Sequence, residues 1–185
     1  MLIIQPAQKV RRSRRYNPGM TDDHVQVERE GGVARVWLNR PELRNAFNPL
    51  VIRDLSSQFT ELSADDTVRV VVLGGRGDVF CAGADLGWMK EMSGYSESEN
   101  LDDARRLAHM LRTLNSCTKP VVCRVQKAAF GGALGLMACC DCVVATDDSR
   151  FAFSEVRLGI SPATIAPYVV AKTGAGFARD VMLSG

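Results

Sequence analysis

The sequence predicts a single α/β domain, because strand-like and helix-like segments alternate along most of its 185 residues. Val68–Leu73 and Pro120–Val125 are continuous apolar runs with many β-branched residues, which is typical of strands covered on both faces. Apolar residues at helical spacing precede each run, in Leu50–Leu62 and in Glu97–Cys117. No segment has the composition of a linker, so we expect these elements to share one core.

The composition is that of an ordinary soluble globular protein. Hydrophobic residues make up 46% and charged residues 24%, and no apolar run reaches the length of a membrane span. The formal net charge is +2, but the first 19 residues carry five basic residues and no acid, so the rest is net negative. We therefore expect no nucleic-acid partner, no membrane association and a cytoplasmic location.

The basic leader, residues 1–19, has more than one interpretation. It is Arg-rich and acid-free like a transit peptide, whereas its apolar start Met1–Ile4 is too short for a secretory signal. We favour a true start at Met20, because Thr21-Asp22-Asp23 before a strand resembles a natural beginning. In either case residues 1–19 should be disordered and residues 20–185 should form the domain.

The domain should open with a β-hairpin. Val25–Arg29 and Val33–Asn39 alternate apolar and polar residues on either side of Gly31-Gly32. Pro49 then suits the first position of a helix, whose apolar residues at positions 51, 52, 55, 59 and 62 lie on one face. We expect this face to pack on the sheet.

The later elements continue the order of strand and helix. Gly74–Asp78 should form a loop after the strand Val68–Leu73. Positions 101, 104, 107, 108, 111 and 114 should be the buried face of the helix Glu97–Cys117. The other predicted elements are a helix at Asp85–Glu91, a small-residue helix at Ala133–Cys140, a strand at Cys142–Ala145, a helix at Pro162–Lys172 and a helix from about Gly176.

Two corners between a strand and a helix consist of very small residues. One contains Gly131-Gly132 and the other contains Ala82-Gly83-Ala84. The first amides of a helix have no intrahelical partner, and the helix dipole there favours negative charge. Close packing of helix against sheet is the alternative explanation for these glycines. Together the two corners suggest an oxyanion hole, in which two backbone amides hold one oxygen.

Six cysteines raise the question of a metal site or a disulfide framework. The sequence has no Cys-x-x-Cys pair, only His24 and His109 could join a metal site, and most of the cysteines lie in apolar runs. We expect buried, reduced thiols and no metal site. The cysteines are Cys81, Cys117, Cys123, Cys139, Cys140 and Cys142.

Several motifs occur in a characteristic order between Val25 and the end of the chain. They are Asn39-Arg40-Pro41-Glu42, Asn45-Ala46, Phe80-Cys81-Ala82-Gly83-Ala84-Asp85-Leu86, Gly131-Gly132 and Cys140-Asp141. This ordered set resembles the enoyl-CoA hydratase/isomerase (crotonase) family. The resemblance implies a spiral of ββα units and an acyl-CoA thioester substrate. Coenzyme A would be part of that substrate, so no separate cofactor is expected.

The resemblance also implies roles for residues at the two corners. The amides of Ala84 and Gly132 would hold the thioester carbonyl as it becomes an enolate. The residues that would contact the coenzyme A part of the substrate are Arg40, Ala46, Ala82, Ala84, Asp85, Leu86 and Gly131.

One of the family's two acid/base glutamates is present. Glu155 matches the later glutamate by resemblance, whereas the earlier one would fall at Gly135 and is absent. Independently, a carboxylate among apolar side chains should have a raised pKa, as a proton shuttle requires. A surface carboxylate paired with Arg157 is the alternative. The expected apolar neighbours are Phe151, Phe153, Leu158 and Ile160.

The missing glutamate leaves the type of reaction open. One glutamate could take a proton from water and return it to the α-carbon, but single-glutamate members of the family also include double-bond isomerases. The stretch 159–170 resembles bacterial 3-methylglutaconyl-CoA hydratases and their isohexenylglutaconyl-CoA relatives, which favours hydration of a branched glutaconyl thioester. An inactive member that acts only in assembly is a further alternative.

Two features depart from the family pattern. Lys127 stands where a turn glycine is usual, and a positive φ there would cost about 1–2 kcal/mol. The chain also stops at Gly185, where the family continues into C-terminal helices that complete the acyl pocket and the trimer contacts. We expect a C-terminally truncated domain, and a homotrimer or hexamer for the extended protein.

Overall fold

A computed structural model describes residues 23–185 of the chain. The predicted disordered leader, and the choice between Met1 and Met20 as the start, lie outside the described residues.

The described residues contain seven strands in two sheets. They are β1 (Val25–Glu30), β2 (Val33–Leu38), β3 (Val70–Gly75), β4 (Val121–Val125), β5 (Ala128–Phe130), β6 (Cys142–Ala145) and β7 (Arg150–Ala152). The large sheet has the order β1-β2-β3-β4-β6, and β5 pairs with β7 in a small sheet. Only β1 and β2 are antiparallel, with Val25 opposite Leu38, which confirms the predicted hairpin.

Six α-helices accompany these strands in the same region. They are α1 (Pro49–Ala64), α2 (Leu86–Met92), α3 (Glu97–Asn115), α4 (Gly132–Cys139), α5 (Ala166–Thr173) and α6 (Ala175–Ser184). Short 3₁₀ turns occur at Pro41–Leu43 and Ser154–Leu158. None of the helices within residues 23–185 combines the length and the hydropathy that a bilayer crossing requires.

The core lies between one face of the large sheet and the helices α1, α3 and α4. Inward side chains of the central strands, such as Val36, Leu73 and Cys123, have at most 1% of their surface exposed. Full burial of a Val, Leu, Ile, Phe or Met side chain contributes about 1.5–3 kcal/mol. The helix α1 buries the apolar residues that its periodicity predicted, namely Val51, Ile52, Leu55, Phe59 and Leu62.

The opposite face of the large sheet is only partly covered. Val70 and Val72 are half-buried, so the prediction that this strand is covered on both faces was wrong. The helices of the core pack on one face alone, and Trp37 covers part of the other. Gly74 pairs with Trp37 of β2, so it belongs to β3 and not to the predicted loop, and a β-carbon there would lie 2.5 Å from the Trp37 ring.

The first half of α3 does not bury its predicted apolar face. Leu101 and Ala104 are exposed, whereas Asp103 is buried and accepts a hydrogen bond of 2.9 Å from the indole of Trp88. Asp103 also pairs with Arg106. This half of the helix borders a cavity, described below, and not the core.

The start of α5 and the small sheet also differ from expectation. The helix begins at Ala166 and not at Pro162, with Pro167 in its first turn. Proline is tolerated in the first turn, but further inside a helix it removes a hydrogen bond and clashes with the preceding turn. The strands β5 and β7 were not predicted, because three residues are too few to show an alternating pattern.

The cysteines differ in exposure. Four of them are buried as expected, whereas Cys117 is half-buried and Cys142 is exposed on β6. Burial raises the pKa of the thiols of Cys81 and Cys139 to about 12. A thiol with so high a pKa is almost fully protonated at neutral pH, so these two cysteines act as packing groups.

Lys127 has a φ of 60°, so the backbone is left-handed where the family usually has glycine. Its ammonium pairs with Asp148 over 2.6 Å at an exposed position, where such pairs contribute little.

Replacement of Lys127 should therefore separate backbone strain from the ion pair. Lys127→Gly and Lys127→Ala both lose the pair, but only alanine keeps the strain, so the glycine variant should be more stable by about 1 kcal/mol. Urea unfolding of the two variants measures this difference. As a control, the same exchange at Lys90 inside α2 should favour alanine. An alanine variant at position 127 as stable as the glycine variant would contradict the strain.

Candidate active site

The first small-residue corner in chain order, Ala82-Gly83-Ala84, lies beside β5. A parallel bridge pairs Cys81 with Ala129, and the amide of Phe130 donates to the carbonyl of Cys81 over 3.2 Å. The thiol of Cys81 donates to the carbonyl of Asn45 over 3.1 Å. These contacts fix the corner from two sides.

The second corner in chain order, Gly131-Gly132, leads from β5 into α4. Gly131 has a φ of 53° and a ψ of −126°, a combination that suits glycine, and its amide donates to the carbonyl of Ala152 over 2.9 Å. Because Cys81 and Ala129 are paired in parallel, Ala84 and Gly132 follow at equal distance from the pair. The two corners do touch, since a β-carbon on Gly83 would lie 3.7 Å from the nitrogen of Gly132.

The amides of Ala84 and Gly132 are free in this arrangement. Ala84 forms a parallel bridge with Phe47, and that bridge uses the carbonyl of Gly83 and the amide of Asp85. The amide of Ala84 therefore points away from Phe47. Gly132 is the first residue of α4, so its amide has no intrahelical acceptor. Within residues 23–185, neither amide donates a hydrogen bond.

The ring of Phe47 fills the space beside Gly132. A β-carbon on Gly132 would lie 2.5 Å from the Cζ atom of that ring. Phe47 is almost fully buried, and its ring forms part of the wall of the cavity that Gly132 also lines. A bulkier residue at position 132 would therefore clash with Phe47 as well as with any ligand. The sequence offered no signal that Phe47 takes this position.

Arg40 and Asp85 lie behind the wall of the site. The guanidinium of Arg40 donates to the carbonyl of Ala46 over 2.6 Å and pairs with Asp85 over 2.9 Å. Asp85 also caps α2 through the amides of Gly87 and Trp88. Burial alone would raise the pKa of Asp85, but these hydrogen bonds, led by that of Arg40, lower it. Both side chains hold the corner in place.

Glu155 reaches the site because β7 pairs with β5. The 3₁₀ turn that carries Glu155 follows β7 directly, so the carboxylate lies over the second corner. A β-carbon on Gly131 would lie 3.3 Å from Glu155 Oε1. The other oxygen, Oε2, is buried and has no hydrogen-bond partner within the described part of the chain.

Desolvation by burial raises the pKa of Glu155, as the sequence predicted, although the expected neighbours were partly wrong. Phe153 is buried, but Phe151, Leu158 and Ile160 are about half exposed. Phe151 lies on β7, whereas Leu158 ends the 3₁₀ turn and Ile160 follows it, and these two residues line a cavity together with Glu155. Arg157, the alternative partner, donates to the carbonyl of Gly185 instead.

A cavity of about 460 Å³ brings these groups together. Ala82, Ala84, Leu86, Gly131, Gly132 and Glu155 line it, whereas Arg40, Ala46 and Asp85 do not. The remaining wall is mainly apolar and includes Trp88 and Met92. Among the described residues, no Lys, Arg or His side chain lines the cavity. The free amides are therefore the positive groups that the cavity wall presents.

Gly135 lies next to this cavity, and its missing side chain leaves no gap. A β-carbon on Gly135 would lie 2.3 Å from Ile165 Cγ2 and 2.8 Å from Ile165 Cβ. Ile165 therefore occupies the volume that a side chain at position 135 would need. A glutamate placed there would collide with Ile165, so substitution of Gly135 alone cannot supply a second carboxylate. Sequence reasoning missed this role of Ile165.

Two other features of the described residues are relevant to ligands. A second cavity of about 420 Å³ lies near the end of the chain and is lined mostly by apolar residues, including Leu134, Phe177 and Val181. Within residues 23–185, no three His, Cys, Asp or Glu side chains are arranged to hold a metal ion.

Comparison with known proteins gives consistent matches. The profile of the family described as enoyl-CoA hydratase/isomerase matches residues 28–185. The chain is 36% identical to enoyl-CoA hydratase ACTT6 of Alternaria alternata over 163 residues, which are 86% of this chain and 51% of that protein. It is also 36% identical to the mitochondrial Delta(3,5)-Delta(2,4)-dienoyl-CoA isomerase of Mus musculus over 140 residues, which are 70% of this chain and 42% of that protein.

A solved structure gives the same result. The structure of an enoyl-CoA hydratase from Shewanella pealeana superposes with a TM-score of 0.85 at 37% identity. The superposition covers 87% of this chain and 61% of that one. The chain thus spans between 42% and 61% of the length of these three relatives.

The raised pKa of Glu155 predicts how its removal changes stability with pH. Above the raised pKa the folded protein must keep a desolvated charge, so Glu155→Gln should increase the free energy of unfolding at neutral pH. The increase should shrink as the pH falls through the raised pKa towards the ordinary value of 4.5. Urea unfolding at several pH values measures it, with Glu91→Gln at an exposed site of α2 as the control. A difference independent of pH would contradict a desolvated carboxylate.

The contact of Gly135 with Ile165 should appear as an energetic coupling. Gly135→Ala should destabilise the protein by about 1–3 kcal/mol through overpacking. In combination with Ile165→Ala, the loss should be smaller than the sum of the single losses by about 1 kcal/mol or more. A double-mutant cycle by chemical unfolding measures this coupling. Gly176→Ala is the control, since no atom lies within 4 Å of its added carbon and alanine suits α6. Strictly additive losses would disprove the steric match.

Proposed function

The chain belongs to the enoyl-CoA hydratase/isomerase family, and from this membership we propose that its protein adds water across the double bond of an enoyl-CoA thioester. The matches also confirm the predicted crotonase-like α/β fold. The observation that carries the proposal is that one cavity is lined by both Glu155 and two residues with free amides, Ala84 and Gly132.

In the proposed reaction the two free amides hold the thioester oxygen. Ala84 and Gly132 would each donate one hydrogen bond as that oxygen becomes an enolate. The N-terminus of α4 adds partial positive charge on the same side. Because both donors belong to the main chain and the two corners are bridged, little reorganisation would be needed when the charge develops.

Glu155 would perform both proton transfers. As the oxygen of water adds to the β-carbon, the carboxylate takes a proton from the water, and it then returns a proton to the α-carbon. Desolvation supports both halves of this cycle, because it makes the carboxylate a stronger base and brings its pKa nearer to neutral pH. The space at Gly135 is filled by Ile165, so the proposal relies on one glutamate.

We propose a branched glutaconyl thioester, such as 3-methylglutaconyl-CoA, as the substrate. The resemblance of the stretch 159–170 to hydratases of such thioesters supports this choice, and Ser161, Pro162 and Ile165 of that stretch line the cavity. The distal carboxylate would need a counter-ion. Arg106, which pairs with the cavity-lining Asp103 from outside the cavity and is more than half exposed, would have to exchange Asp103 for that carboxylate.

Double-bond isomerisation is the second candidate activity. A single carboxylate is sufficient to move a proton between two carbons, and the chain is 36% identical to a dienoyl-CoA isomerase. Isomerisation would use the same amides and Glu155 but would consume no water. The product therefore distinguishes the two activities.

A trimer or hexamer is the proposed assembly. The apolar cavity near Phe177 and Val181, and the exposure of 60% of the Phe177 surface, support an association through this side of the domain.

Replacement of Glu155 tests the proposed function. Glu155→Gln should lower water addition and α-proton exchange together, by about 10²–10⁴-fold, because one residue performs both transfers. Product analysis and deuterium uptake at the α-carbon measure the two rates on 3-methylglutaconyl-CoA and on an uncharged enoyl-CoA. Glu91→Gln, outside the cavity, should leave both rates unchanged. Near-normal turnover by Glu155→Gln would rule out this base, and a shifted double bond without a hydroxyl product would replace the hydratase by the isomerase.

A further inference from the structure

Ser154 and Glu155 bring two oxygen-bearing side chains close to the backbone of Gly131. A β-carbon on Gly131 would lie 3.2 Å from Ser154 Oγ and 3.3 Å from Glu155 Oε1, so there is no room for a water directly over the glycine. Ser154, Glu155 and Gly131 all line the larger cavity, so a water in contact with both side chains would lie on the cavity side of them, where the thioester would bind.

Both oxygen-bearing groups have unused hydrogen-bonding capacity. Glu155 Oε2 is buried and has no partner within residues 23–185. The Ser154 hydroxyl also makes no hydrogen bond to the described residues, but it lines the cavity and its oxygen is not buried. A buried unpaired oxygen such as Glu155 Oε2 is usually satisfied by ordered water, which needs at least two polar partners.

We propose that Ser154 is a water-positioning residue, whose hydroxyl and the Glu155 carboxylate together hold the water that adds to the enoyl thioester. This inference rests on the proposed hydratase function. The hydroxyl would orient the water, while the carboxylate would accept its proton. Since Ile165 fills the place where a second carboxylate would project from Gly135, the hydroxyl takes over the orienting role.

The reaction step balances with these groups alone. The oxygen of water forms a bond to the β-carbon, and the electron pair of the double bond moves towards the thioester to give the enolate. The water proton passes to the Glu155 carboxylate. Glu155 then returns a proton to the α-carbon, which restores the carboxylate and gives the 3-hydroxyacyl thioester.

Other hydroxyls in the cavity lack this relation to Glu155. Ser161 and Thr164 also line the cavity, but the three atoms nearest to the position over Gly131 belong to Ser154 and Glu155. Ser57, an exposed serine of α1 that does not line the cavity, is the matched control.

The kinetic test separates water addition from proton transfer. Ser154→Ala should lower kcat for hydration about five- to tenfold, because one neutral hydrogen bond to the water is lost. The KM for the thioester and the α-proton exchange of a saturated acyl-CoA in D₂O should stay within about twofold, since neither uses the added water. Ser154→Thr should keep most of the hydration rate, and Ser57→Ala should keep all of it. Equal losses of hydration and exchange, or no loss of either, would overturn the inference.

A crystallographic test does not depend on turnover. Crystals of the protein with a saturated acyl-CoA should show one water within hydrogen-bond distance of both Ser154 Oγ and Glu155, and Ser154→Ala should lose it. A missing water, or a direct hydrogen bond between Ser154 and Glu155, would overturn the inference even if the protein hydrates its substrate. If the water is present but no hydroxyl product forms on any enoyl-CoA, the proposed hydratase function fails instead.

Discussion

The parallel pairing of Cys81 with Ala129 is the interaction on which the candidate site depends. It joins two loops that lie far apart in the sequence, so that Ala84 and Gly132 emerge together. Both residues of the pair are fully buried, and the flanking main-chain hydrogen bonds could not be replaced by water without local unfolding. The spacing of the two free amides is therefore set by the main chain. Preorganisation of this kind is what makes amide donors effective against developing charge.

The shape of the cavity follows from glycines and from the side chains that occupy their missing volume. Phe47 lies against Gly132, and Ile165 lies against Gly135. At Gly131 the nearest side-chain atoms are instead oxygen atoms of Ser154 and Glu155. The apolar partners exclude water from two of these positions, whereas the oxygens beside Gly131 could bind a water in the adjoining cavity. The chemistry of the site thus depends on which side chain faces each glycine.

The electrostatics of the cavity are set mainly by the main chain. No basic side chain among the described residues lines it, and Arg40 is engaged by Asp85 behind the wall. Glu155 consequently has no ion-pair partner there, and desolvation raises its pKa. At Asp85 burial also raises the pKa, but the hydrogen bonds lower it by more. The pKa values of these two carboxylates are therefore shifted in opposite directions, which fits the structural contacts of Asp85 and the proton transfer proposed for Glu155.

The sequence by itself determined the elements whose burial follows a local period. The hairpin and the buried face of α1 were predicted at or close to their observed bounds, because regular spacing of apolar residues records which side faces the core. It also identified the two small-residue corners and Glu155. Only the tertiary structure decided that Ile165 fills the space beside Gly135, that Phe47 lies against Gly132, and that Leu158 is exposed while Asp103 is buried. These features depend on contacts between segments distant in sequence, and a local pattern carries no information about which surfaces meet.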